Sequence, residues 1–253
     1  MKILLSPAKS LDFERAFPVD VESAPAFEKE ALQINSLLKK KSAKSLQKLM
    51  GISDALATLN WERNQNFDIV SDENQKRPAV YAFSGDVYVG LDVYTLPKEK
   101  VALMQKQLRI LSGLYGILRP LDIIAPYRLE MGTALSVGRA KNLYGFWKEK
   151  VTEYLNAEME QNEILVNLAS AEYFGVVDQK NLKSTIVSPQ FKDFKDGKLK
   201  MISFFAKKAR GMMARYIIEN NATTIEDLKS FSSEGYAFSV DETKDEYAPV
   251  FTR

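Results

Sequence analysis

Residues 103–130 read LMQKQLRILSGLYGILRPLDIIAPYRLE, and no other stretch says as much about how this chain is built. Val101, Met104, Leu108 and Leu111 recur at helical spacing, with Lys106 and Arg109 on the opposite side, and Pro97 suits a first helical turn. The predicted helix runs into Gly113 and Gly116, then a cationic turn at Arg119 and a second element started by Pro120. Two short elements joined by a glycine turn, with unpaired backbone N–H groups and arginines at the joint, suit a phosphate backbone.

Working outward from this stretch, strands and helices interleave. Lys2–Leu5 (KILL) reads as a buried opening strand and 26–66 as helical, with Ser53 a plausible cap for the last of its helices. Ala79–Phe83 has the pattern of a short apolar strand closed by the turn Ser84-Gly85-Asp86. Leu143–Met159 reads as a helix and Glu163–Leu168 as a buried strand. A hairpin turns at Asp196-Gly197, and a basic helix, KKARGMMARYIIEN, begins at Lys207. A short helix at about 224–230 and a final strand at Tyr236–Val240 complete the pattern. The expected fold is mixed α/β, a single domain over 1–253. Regular β-α-β alternation is missing, and so are GxGxxG and GxxxxGK[ST] motifs, which argues against dinucleotide and P-loop folds.

The chain of 253 residues holds neither cysteine nor histidine. Thiol nucleophiles, disulfides, iron–sulfur ligation and imidazole-based acid–base catalysis or metal binding are therefore excluded. No metal site and no cofactor are expected, and any chemistry falls to Asp, Glu, Lys, Tyr, Ser or Arg. At 45% hydrophobic and 27% charged, with no apolar run approaching a signal peptide or a membrane span, the chain is expected to be cytoplasmic. The net charge of +2 hides segregation. Residues 192–215 carry a local +6 and residues 98–141 a local +5, while 226–247 carry −5. Two basic segments can build one face for an anionic partner, although each alone fits a solvated helix face equally well.

Three constellations carry chemistry. Leu111–Ile117 resembles the helix-hairpin-helix element of DNA repair and replication proteins, whose hairpin amides meet phosphate oxygens and whose glycines avoid a Cβ clash. Its glycines are separated by two residues rather than one, and an ordinary connector fits the same letters. On the basic helix, Ala209, Met213, Tyr216 and Ile217 form the buried side. Lys207, Lys208, Gly211 and Arg215 lie on one outer stripe, with Arg210 beside it. Gly211 costs roughly 1 kcal/mol relative to Ala, tolerable if something approaches the backbone closely, whether a ligand or another helix. The third constellation is a set of polar loops after strands: Ser6–Lys9, Ser84–Asp86, Asn167/Ser170/Glu172 and Ser233–Tyr236. If they converge with Arg128, Glu130 and Lys207, they line a cleft with Lys9, Asp86, Glu130 and Glu172. Such a cleft suits an enzyme acting on a nucleotide or other phosphorylated metabolite. The leading expectation is backbone-directed DNA binding with little sequence preference. It would run through Lys106, Arg109, Gly113, Gly116, Arg119, Arg128, Lys207, Lys208, Arg210 and Arg215.

SPAKSLDF at 6–13, FSGDVYVGL at 83–91, LRILSGLYGILRPLDIIAPYRLEMG at 108–132 and LYGFW at 143–147 carry a family resemblance. So do NLASAEYF at 167–174, ISFFAKKARGMMARYIIEN at 202–220 and SEGY at 233–236. The chain resembles the bacterial YaaA family of peroxide stress resistance proteins. The resemblance implies a cytoplasmic protein that lowers free intracellular iron during hydrogen peroxide stress. It further implies a single-domain fold unlike the common superfolds, and DNA binding through a helix-hairpin-helix element in a basic cleft. Without Cys or His, an effect on iron should be indirect, or follow from protecting DNA.

Overall fold

The computed structural model describes residues 1–19, 22–68 and 76–253. Its organising unit is a five-stranded sheet around β1 (Lys2–Leu5). β1 is flanked in parallel by β5 (Leu108–Ser112) and β8 (Ile164–Asn167). β6 (Gly116–Leu118) folds back antiparallel on β5, and β9 (Thr185–Val187) extends the parallel set beside β8. All four residues of β1 are buried, as a central parallel strand covered on both faces requires. Near the carboxyl end of β1, two short antiparallel rungs tie the following loops down. They pair β2 (Ser10–Leu11) with β4 (Phe83–Ser84), and β3 (Arg77–Pro78) with β7 (Ile123–Ile124).

The helical stretch at 26–66 divides into α1 (Glu28–Lys39), α2 (Ala43–Met50) and α3 (Asp54–Gln65). The Ser42 and Ser53 hydroxyls accept from Ser45 N and Leu56 N, which satisfies one orphan donor at the start of each of the last two helices. α4 (Ala79–Ala82), α5 (Asp86–Leu91) and α6 (Val101–Gln107) lead into β5, and α7 (Leu143–Glu158), capped by Asn142, leads into β8. α8 (Ala171–Phe174) follows β8 directly. A second sheet orders β11 (Lys198–Lys200), β10 (Gln190–Lys195), β14 (Val250–Thr252), β13 (Tyr236–Phe238) and β12 (Ser232–Ser233). Between β10 and β11, Asp196 and Gly197 sit at φ +55° and +73°, the left-handed pair expected of an Asp-Gly hairpin. α9 (Ser203–Asn220) connects this sheet to the first, and α10 (Ile225–Lys229) begins with a capping box from Thr224.

Three expectations fail, each for a packing reason. The helix at 101–111 stops at Gln107, because Leu108, Arg109 and Ile110 pair with Ile3, Leu4 and Leu5 of β1. Leu108, Ile110 and Leu111 then lie in the core, where a strand apolar on both faces belongs. The two glycines therefore form a buried β-hairpin, and no helix-hairpin-helix element exists there. A Cβ at Gly113 would lie 2.3 Å from Leu129 O, and one at Gly116 (φ +71°) 2.6 Å from the Trp147 ring. Ser112 Oγ accepts from Leu114 N (3.2 Å) and Tyr115 N (3.0 Å), so two turn amides are satisfied internally and are closed to phosphate.

Ala79–Ala82 is a helical turn rather than a strand. Its first amides donate to Asp122 O and Pro120 O, and Phe83 N donates back to Ala79 O. Gly211 is buried rather than exposed, because α9 lies backbone to backbone on α5: its Cβ would fall 1.8 Å from Val87 O. A further strand, β14, follows β13 and completes the second sheet.

Candidate ligand cleft

The carboxyl ends of β1 and β8 lie side by side, and the polar loops that leave them are tied together. Ser170 N donates to Ser6 Oγ at 2.9 Å, Ser6 Oγ reaches Ser170 Oγ at 3.3 Å, and Tyr88 OH donates to Ser6 O at 3.1 Å. Ser170 Oγ also accepts from Tyr173 N, capping α8. Above this junction opens a cavity of about 470 Å³. Lys9, Asp86, Glu172, Lys207 and Arg210 all line it. A parallel sheet exposes loops and helix starts at its strand carboxyl ends, which is where such folds hold ligands. Three of the four polar loops thus meet at one place with the start of α9, whereas Ser233 and Glu234 of the fourth line a separate cavity with Lys208 and Arg215.

The rim is fixed by charge. Glu130 Oε1 takes Lys9 Nζ at 3.4 Å and Arg128 Nη2 at 2.9 Å, and Gly132 N donates to Glu172 Oε1 at 3.0 Å. Inside the cavity the balance differs. The Arg210 side chain makes no hydrogen bond or ion pair with any described residue, and neither do those of Lys207 and Asp86. Burial lowers the pKa of the Arg210 guanidinium, yet a guanidinium remains charged at any physiological pH. Tyr88 and Tyr173 keep their protons because burial raises both phenols, with neighbouring Tyr127 adding to the effect. A partly buried cation that no carboxylate pairs is suited to an anion.

The remaining basic candidates are engaged elsewhere. Arg109 is only 3% exposed and is paired with Glu158 at 2.6 Å. Arg119 is held by Asp122 and Ala24 O, Lys208 by Glu234, and Arg215 by Glu219, Thr95 and the carbonyls of Leu91 and Asp92. Lys106 is exposed on α6, remote in sequence from the cleft loops, and its carbonyl accepts from Lys2 Nζ. Gly113 and Gly116 are buried, as described above. The structure therefore brings together Lys9, Asp86, Glu130, Glu172, Arg128, Lys207 and Arg210, and leaves the hairpin set apart.

Sequence reasoning missed Tyr88 and Tyr173, whose only signal was their position beside the cleft loops. It also missed a larger cavity of about 1040 Å³ lined by Asp12, Arg15, Glu62 and Arg63, which shares Ser84 with the first. Two of its charges are committed. Asp12 accepts from Arg15 N and Glu14 N, which hold its carboxyl below the usual range, and Arg15 stacks on Tyr94 at 3.5 Å. Glu62 and Arg63 make no ion pair with any described residue, and Arg63, whose pKa burial lowers, has only a 3.5 Å hydrogen bond to Asn60; what selects the smaller space is the convergence of the loops leaving β1 and β8. Among the described residues, no helix is long and apolar enough to cross a membrane.

Comparison with known proteins gives the family. The family model described as peroxide stress protein YaaA matches residues 1–242. A UPF0246 protein of Flavobacterium johnsoniae is 56% identical over 253 residues, covering all of both chains. One of Flavobacterium psychrophilum is 55% identical, also over the full length of both, and one of Hahella chejuensis is 46% identical over 94% of each. The chain belongs to the peroxide stress protein YaaA family, whose curated relatives carry the name UPF0246.

Proposed function

We propose that the protein serves in cytoplasmic defence against peroxide by binding a phosphate-bearing, nucleotide-sized ligand in the cleft. The ligand is either a free nucleotide or a nucleotide unit of DNA. The observation that carries this reading is Arg210, a partly buried guanidinium without a described partner, beside Lys207 and within one cavity of about 470 Å³. That volume falls in the usual range for small-ligand sites, roughly 300–1,000 Å³, and is far too small for a duplex. The expected phosphate contact is electrostatic and independent of base identity, so a DNA source would be bound with little sequence preference. Support for a DNA source comes from the hairpin between β11 and β10, the strand that contacts α9, where Phe194 is 68% exposed beside Lys195 and Lys198. Exposed aromatic and basic side chains together suit a strand with accessible bases. Any effect on free iron is indirect, since the chain has no thiolate or imidazole ligands.

The test is a salt-titrated binding assay with a nucleoside monophosphate, single-stranded DNA and duplex DNA, on the parent and on Lys207→Gln/Arg210→Gln. All phosphate ligands that bind the parent should weaken in the variant. The slope of log K against log[salt] should flatten by about 1.4 for a single strand, two charges at roughly 0.7 each. Equal affinity in parent and variant would remove the cleft from the reading.

A further inference from the structure

Asp86 opens α5 and lines the same cavity as Arg210, and it too has no described partner. Two opposite charges line the same cavity of about 470 Å³ without pairing with each other, each carried by a different helix of one frame. The frame is the contact between α5 and α9. A Cβ at Gly90 would lie 2.1 Å from Lys208 O, and one at Gly211 1.8 Å from Val87 O, so the two backbones touch and their spacing is set by main chain.

The cavity therefore offers a cationic end and a separate hydrogen-bond acceptor. A cationic group is a poor match for the acceptor, because Lys9, Lys207 and Arg210 line the same space. A neutral donor satisfies the carboxylate without adding charge. Serine hydroxyls at 6, 10, 84 and 170 also line the cleft and can donate to or accept from further hydroxyls.

We propose that Asp86 accepts hydrogen bonds from sugar hydroxyls of a ligand whose phosphate is held by Arg210 and Lys207, making the cleft selective for sugar phosphates over bare phosphate. The inference rests on the phosphate-binding reading above and deepens it. Carboxylates read ribose hydroxyls in the same way in dinucleotide sites, on a different fold. The interior of a DNA strand has no free hydroxyl, so the occupant is a free nucleotide or a strand terminus.

Calorimetry with inorganic phosphate, a ribonucleoside 5′-monophosphate and its 2′,3′-dideoxy counterpart separates the possibilities. The parent should prefer the ribonucleotide over the dideoxy form by about tenfold or more, the range of a hydrogen bond to a charged group. Asp86→Ala should erase that preference while inorganic phosphate binds at least as well, since a like charge has gone. Asp86→Asn, nearly isosteric, guards against a folding defect and should lose most of the preference as well. Equal binding of both nucleotides by the parent overturns the inference and leaves the phosphate site standing. A preference that survives in Asp86→Ala overturns it equally, since another group then reads the sugar. If none of the three ligands binds the parent, the phosphate site itself is wrong.

Discussion

Replacing Gly116 with alanine separates a structural hairpin from a ligand-contacting one. Gly116 sits at φ +71°, and its missing Cβ faces Trp147 Cε3 and Cζ3 at 2.6 and 2.7 Å. Two penalties add. A non-glycine residue in the left-handed region costs about 1–2 kcal/mol. Forcing a methyl against a ring that is fully buried, and whose indole N–H is tied to Gly113 O at 3.0 Å, costs about 1–3 kcal/mol more. The expected loss is therefore roughly 2–5 kcal/mol out of a total stability on the order of 5–15. For a chain of this length that corresponds to a drop in Tm of about 4–20 °C. Urea unfolding followed by circular dichroism reads it directly, and the folded variant should keep the parent's affinity for phosphate ligands. A variant as stable as the parent would mean that the turn is not packed on Trp147. A stable variant that loses binding would return the glycine turn to the ligand site.

Two further substitutions test the frame. Glu158→Gln leaves Arg109 buried without its carboxylate and should cost about 2–3 kcal/mol at pH 7, less than the roughly 3–5 kcal/mol of a fully buried broken pair because Glu158 is itself partly exposed. Burial alone would raise the Glu158 carboxyl, but hydrogen bonds from Arg109 and Tyr154 hold it below the usual carboxylate range. A depressed folded pKa places its stabilisation above the unfolded value, near 4.3, and removes it as pH falls through the folded one. Thermal melts should therefore converge between parent and variant in acid, and a gap that stays constant down to pH 3 would contradict the pairing. Gly211→Ala poses two opposed effects: helix propensity favours alanine by about 1 kcal/mol, while a Cβ 1.8 Å from Val87 O forces α5 and α9 apart. The steric term should win, and a raised urea midpoint would show that the helices have room to separate.

The elements that were legible in the letters are those whose local signals agree with their tertiary role. KILL is apolar enough for a buried central strand, Ser53 caps its helix, and Asp196-Gly197 supplies the two positive φ values its hairpin needs. Residues 101–112 misled because Val101, Met104, Leu108 and Leu111 satisfy a helical period while LRIL also satisfies a strand covered on both sides. Periodicity cannot decide between these readings in a short apolar run. Pairing with β1, a partner about a hundred residues away, decides it. The buried Arg109 was the one hint against an exposed cationic helix face, but it became readable only once Glu158 was seen beside it.

The cleft was legible as a list of loops and not as a place. Each of Ser6–Lys9, Ser84–Asp86 and Ser170/Glu172 carried polar residues after an apolar stretch, which a strand's carboxyl end explains. What no local pattern contains is the parallel register that sets β1 beside β8, or the glycine-to-backbone contact that presents Lys207 and Arg210 from α9. Net charge misled for a related reason. The basic runs at 98–141 and 192–215 look alike when counted. Folding neutralises Arg109, Arg119, Lys208 and Arg215 against particular carboxylates and leaves Arg210 without one. Charge that remains unpaired after folding, rather than charge summed along the chain, is what a phosphate can use.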